Sequence, residues 1–96
     1  MTQDEELELA KAVFKDKRVI AHQGTIYVEY EPNQKGGVHR VDYENNPAHW
    51  RALIEFYHRR IHNFDFNNLK VRLIKLHDAI YTKNTAALKE LVLELI

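Results

Sequence analysis

Two histidines, His58 and His62, stand four residues apart beside Arg51, Glu55 and Arg59, the densest group of chemistry-bearing side chains in this 96-residue chain. On a helix, residues four apart lie one above the other on one face, so the two imidazoles could grip one metal ion. Glu55 shares their face, and His77 or Asp78 could arrive from a neighbouring element. Two ligands are not a zinc site, which needs three or four, oriented by outer partners. Arg59 and Arg60, between the histidines in sequence, put positive charge where the cation would sit. No metal is assigned.

Glu55 lies within one turn of Arg51, His58 and Arg59, which suits either a network of surface ion pairs or a general acid or base held by arginine. A reaction needs more. The chain has no cysteine and no serine, and its candidate threonines, Thr2, Thr82 and Thr85, fall where helices begin or end. Nothing supplies oxyanion donors or a cofactor loop. Gly36-Gly37 lacks the spacing, the following Lys-Ser/Thr pair and the helix entry of a phosphate loop. The expectation is a protein that is not an enzyme and carries no cofactor.

Charge is a stronger signal. Between Pro47 and His77 lie Arg51, Arg59, Arg60, Lys70, Arg72 and Lys75, against only Glu55 and Asp65, whereas acidic residues gather at the two ends. The totals balance to a formal net charge of zero, which weakens any argument from bulk charge, but a neutral chain with its charges so separated can be strongly dipolar. If those six cations share a surface, they could contact phosphates with steep salt dependence. No zinc-finger, ribonucleoprotein or basic-zipper pattern accompanies them. The last helix of a helix-turn-helix reading, Thr85–Ile96, has Lys89 as its one cation and is too apolar to read a groove.

That last segment is itself a signal. Leu88, Leu91, Val92, Leu93, Leu95 and Ile96 exceed what one side of a surface helix needs. Either the helix is sandwiched within the fold, or its outer side is an interface, with Leu88, Leu91, Val92 and Leu95 as the residues of a homodimer.

The elements that must position these residues follow from local chemistry. Asn46 caps a helix whose first residue is Pro47, already at the helical φ and needing no hydrogen bond there. Trp50, Leu53, Ile54, Tyr57 and Ile61 recur at the three- and four-residue steps of one buried face. Upstream, Thr2 and Glu5 have capping-box spacing, so a helix begins at Gln3, with Leu7, Ala10 and Phe14 as its stripe. Lys17 to Tyr43 reads as three strands: Val19–His22, a turn at Gln23-Gly24, Thr25–Glu31 with period-two alternation, a loop at Pro32–Gly37, and Val38–Tyr43. Downstream, Asp65 caps a helix running to about Lys83, with Phe66, Leu69, Leu73, Leu76 and Ile80 as its seam, and Asn84-Thr85 starts the last one.

A chain this short makes one core. We expect a single α+β domain over residues 1–96: an N-terminal helix and three-stranded antiparallel meander in 1–45, then three helices in 46–96 packed on the sheet. The acidic N-terminus is unlike a signal peptide, no apolar run spans a bilayer, and the missing cysteine suits a reducing compartment, so the expected setting is cytoplasmic, away from membranes. The expected function is a non-catalytic protein-binding module, an adaptor, inhibitor or accessory regulator of a larger complex. Its partner would meet Arg51, Glu55, His58, Arg59, Arg60, His62, Lys70 and Arg72, with Tyr30 and Arg40 on the strands as anchors. The alternative is a sequence-tolerant nucleic-acid binder using the same cations.

Overall fold

The structure, a computed structural model, describes residues 1–30 and 37–96. The order is α1 (Gln3–Val13), β1 (Arg18–His22), β2 (Thr25–Glu29), β3 (Val38–Arg40), α2 (Pro47–Ile61), α3 (Phe66–Tyr81) and α4 (Thr85–Leu93), an α+β fold. The chain forms two compact units, Met1–Asp42 and Tyr43–Ile96.

In the first unit α1 opens with a reciprocal cap: the Thr2 hydroxyl accepts from the Glu5 N–H at 3.2 Å, and the Glu5 carboxylate accepts from the Thr2 N–H at 3.0 Å. These bonds hold the Glu5 carboxyl below its usual pKa. Leu9, Ala10 and Phe14 are buried as α1 packs on β1 and β2.

The three strands form an antiparallel sheet in the order β1-β2-β3. Gln23 and Gly24 both take positive φ, +49° and +78°, the signature of a type I′ turn, whose twist matches the strands it joins. The pairing of His22 with Thr25 fixes the register, which runs to Arg18 opposite Glu29. Because side chains alternate across a strand, Val19, Ala21, Ile26 and Val28 share one face, and Val28 is fully buried.

The third strand is shorter than the expected Val38–Tyr43. Its ladder extends by one bond, Val41 N–H to the Ile26 carbonyl at 2.9 Å, after which Tyr43–Asn45 form a turn. The register is the cause: continued past Arg40 opposite Tyr27, it would set Tyr43 opposite Gly24, in the turn, where β2 has no residue left to pair. Within the expected loop Pro32–Gly37, residues 32–36 lie outside the described residues. Gly37 accepts the Tyr30 N–H at 2.6 Å.

The second unit is helical, with α2, α3 and α4 each packed on the other two. Every helix starts where a side-chain oxygen satisfies free N–H groups: Asn46 for Ala48 and His49, Asp65 for Asn68, Asn84 for Ala87. The Asp65 carboxyl, accepting from the Asn68 backbone and side chain, is held below its usual pKa. α3 stops at Tyr81 in a Schellman motif, the Asn84 N–H reaching the Ala79 carbonyl at 2.9 Å and the Lys83 N–H the Ile80 carbonyl at 3.1 Å. Lys83 takes a φ of +49° to do so. The core comprises Tyr43, Leu53, Tyr57, Ile61, Leu76, Ala79, Leu88 and Val92, together with His49.

Candidate functional site

The outer face of α2 follows from what its inner face buries. His49, Leu53, Tyr57 and Ile61, four apart in succession, are all fully buried, while Trp50 and Ile54, expected in the same stripe, are half-buried. The buried stripe is therefore rotated towards His49, a position outside the expected apolar stripe. Its ring lies against the cap, with Nε2 at 3.5 Å from Asn46 Nδ2.

With that stripe inward, Arg51, Glu55, His58, Arg59, Arg60 and His62 are all exposed. His58 and His62 meet edge to face with ring centroids 4.6 Å apart. Arg60 lies over the Phe56 ring at 5.3 Å, a geometry that restrains the guanidinium while its charge stays in water. Arg59 donates through Nε to the Glu55 backbone carbonyl at 3.4 Å. Among the described residues Glu55 forms no ion pair with Arg51, His58 or Arg59; Arg18–Glu29 and Arg72–Glu94 are ion pairs elsewhere in the chain. The Glu55 carboxylate is thus open to an incoming group. Ile54, Glu55, His58 and Arg59 line a shallow surface depression of about 470 Å³ with an apolar edge.

Arg72 is diverted from the cationic face. It is half-buried, donates to the Glu94 carboxylate at 3.0 Å and lies over the Phe64 ring at 5.3 Å. The buried Tyr57 hydroxyl finds no partner in hydrogen-bond geometry, yet sits near enough to the Arg72 guanidinium to favour its charge. Burial pushes the Tyr57 pKa up, partly offset by Arg72. Lys70 and Lys75 are exposed on α3.

Tyr30 and Arg40 belong to the first unit and occupy opposite faces of its sheet. Tyr30 continues the face of Val28 and meets His39 edge to face at 5.0 Å, whereas Arg40 pairs with Tyr27. Tyr30 is half-buried under the Lys17 ammonium, 4.8 Å from its ring centroid. Burial raises its pKa.

Of the residues expected to self-associate, Leu88 and Val92 are fully buried and Leu91 and Leu95 half-buried. α4 is sandwiched against α2 and α3. The apolar excess instead reaches the surface on α3, where Phe66 is 78% exposed, Ile74 61% and Tyr81 92%. Phe66, expected in the seam of α3, thus lies on its outer side. Val71 and Ile74, already off that seam in sequence, were the available sign of a second apolar side.

Among the described residues no three His, Asp or Glu side chains converge as metal ligands. What the α2 face offers chemically is non-covalent: two imidazoles, the Arg51 and Arg59 guanidiniums, the Glu55 carboxylate and the Ile54 edge, while Arg60 lies with Phe56 on another flank of the helix. No protein-family model matches the chain, and comparisons with curated proteins and with solved structures found no match. No helix among the described residues is long and apolar enough to cross a membrane.

Proposed function

We propose that this chain is a non-catalytic protein-binding module of the cytoplasm, an adaptor, inhibitor or accessory regulator that docks a larger partner on the outer face of α2. The observation that carries the reading is the mixed-sign depression of Ile54, Glu55, His58 and Arg59. An apolar edge can take an anchor side chain, while adjacent carboxylate and guanidinium discriminate between partners by charge. A surface made for phosphates would be more uniformly positive. Here Glu55 interrupts the cations, and Arg72 is engaged by Glu94.

The partner expected is a protein with an acidic patch around one protruding apolar side chain. Arg51, Arg59 and Arg60 steer the encounter, and the Ile54 edge holds the complex. The test compares wild type with Arg59→Glu/Arg60→Glu, first by crosslinked pull-down and then by titration against the protein recovered. Loss of binding with an unchanged circular-dichroism spectrum supports the face, and unchanged affinity removes it. In parallel, anisotropy titrations with labelled duplex and single strands should show no binding at low salt. Tight binding that collapses as salt rises would transfer the same cations to a phosphate backbone.

A further inference from the structure

We infer that the exposed apolar side of α3 is a self-association surface, on which two copies of this chain pair their α3 helices antiparallel about a two-fold axis. The inference uses none of the α2 residues on which the proposed function rests.

α3 has two apolar sides. Leu76 and Ala79 face the core, while Phe66, Leu73, Ile74 and Tyr81 line a second arc with Lys70 and His77 between them. Phe66, Lys70, Leu73, Ile74 and His77, with Leu69, wall a surface groove of about 330 Å³. An aromatic at 78% exposure and a tyrosine at 92% leave this side uncovered.

The occupant is indicated by the order of these residues. Turning the helix end for end about the point between Leu73 and Ile74 exchanges Phe66 with Tyr81 and Lys70 with His77. In an isologous two-fold pair residue i meets j wherever j meets i, so this centre sets aromatic ring level with aromatic ring and Lys70 level with His77. Leu73 and Ile74 straddle the axis and meet their own symmetry mates, with an aromatic ring closing each end. Each Lys70 ammonium then lies level with the His77 ring of the second copy.

Charge agrees with the direction. The exposed Asp65 carboxylate before one helix comes level with the exposed Lys83 beyond the end of the other, at both ends of the pair. Antiparallel helices also oppose their dipoles favourably, whereas a parallel pair would stack like charges.

Size sets the strength. A 16-residue helix is about 24 Å long, and one helix pair buries less than the roughly 800 Å² per partner of a standard stable interface. The dimer is therefore weak and reversible, populated at high protein concentration.

The test is sedimentation equilibrium of the full chain from about 10 μM to about 1 mM, the range in which a weak complex of this size associates. Wild type should pass from monomer to dimer. Ile74→Glu, which sets two carboxylates against each other at the axis, should stay monomeric with its circular-dichroism spectrum unchanged. A wild type that remains monomeric throughout, or a dimer that survives Ile74→Glu, overturns the proposal.

Register is read separately, because the chain lacks cysteine. Facing positions on a close helix pair come within disulfide reach. Oxidising a mixture of Lys70→Cys and His77→Cys chains should therefore give the mixed dimer well above its statistical half share. A statistical or smaller share overturns the antiparallel register.

Discussion

Arg72, in the middle of α3, donates to the carboxylate of Glu94, the residue that ends α4, at 3.0 Å. With the Phe64 ring on one side and the Tyr57 hydroxyl nearby, this arginine touches all three helices of the second unit or their ends. The Arg72 side chain is 27% exposed and that of Glu94 58%, so water screens the pair. A double-mutant cycle with Arg72→Met and Glu94→Gln should return a coupling of about 0.5–1 kcal/mol, shrinking as salt is raised. A coupling indistinguishable from zero at low salt would mean that the two groups do not pair in solution.

Tyr57→Phe asks whether the buried hydroxyl contributes. A buried polar atom without a partner costs free energy, and its removal without change of shape is neutral or favourable. Chemical denaturation should give Tyr57→Phe a stability equal to wild type or up to about 1 kcal/mol higher. A loss of that size would show instead that the hydroxyl bonds the Arg72 guanidinium.

Lys83 sits at the left-handed position after α3, with φ +49°, where a β-carbon is unfavourable and glycine is at ease. Lys83→Gly should raise stability by roughly 0.5–1 kcal/mol. Lower stability would mean that the lysine side chain contributes more than its backbone strain costs.

The caps predict an acid limb. Glu5 and Asp65 both have carboxyl pKa values lowered on folding by the N–H groups they accept from. Their contribution is complete above the ordinary carboxylate pKa near 4 and is lost as pH falls through the lower folded values. The urea midpoint should therefore decline below about pH 4.5, and Glu5→Gln with Asp65→Asn should flatten that decline. An equally steep acid limb in the double variant would place the responsible groups elsewhere.

The two sides of α3 and α4 should separate in an alanine scan. Leu76 and Leu88 lie in the core at 2% and 0% exposure, so Leu76→Ala and Leu88→Ala should each cost about 2–5 kcal/mol. Ile74→Ala and Val71→Ala, on exposed positions, should stay within about 0.5 kcal/mol at dilute protein concentration. Equal losses in both sets would contradict this division of inside and outside.

What the sequence made legible was short-range. Thr2 with Glu5, Asn46 with Pro47, Asp65 and Asn84 declare their helices because a cap is a hydrogen bond between near neighbours, and all four sit where expected. The Gln23-Gly24 turn is of the same kind. What stayed hidden depends on distant residues. α3 carries apolar residues on nearly every side, so periodicity alone does not say that Leu76 goes in and Ile74 stays out. The excess apolar surface of α4 marked a helix covered on two sides, which only the positions of α2 and α3 reveal. Arg72 displays its charge in the sequence, but its partner is 22 residues away. The α2 face was legible because Arg51, Glu55, His58, Arg59 and His62 repeat at helical spacing. His49 stayed outside the expected stripe, since an imidazole can be core or surface and only the phase of Leu53, Tyr57 and Ile61 decides.

The two-residue connection at Gln23–Gly24 also bears on how quickly this chain reaches its native pairing. β1 and β2 can zip outward from the turn without closing a long loop, and hairpins of this kind form in about 1–10 μs. In the second unit short links, residues 62–65 and 82–84, join the helices, so neighbours in sequence can dock early. Chains dominated by such contacts fold in roughly microseconds to milliseconds. On the proposed reading, a partner would meet the exposed residues of α2 as a preformed surface.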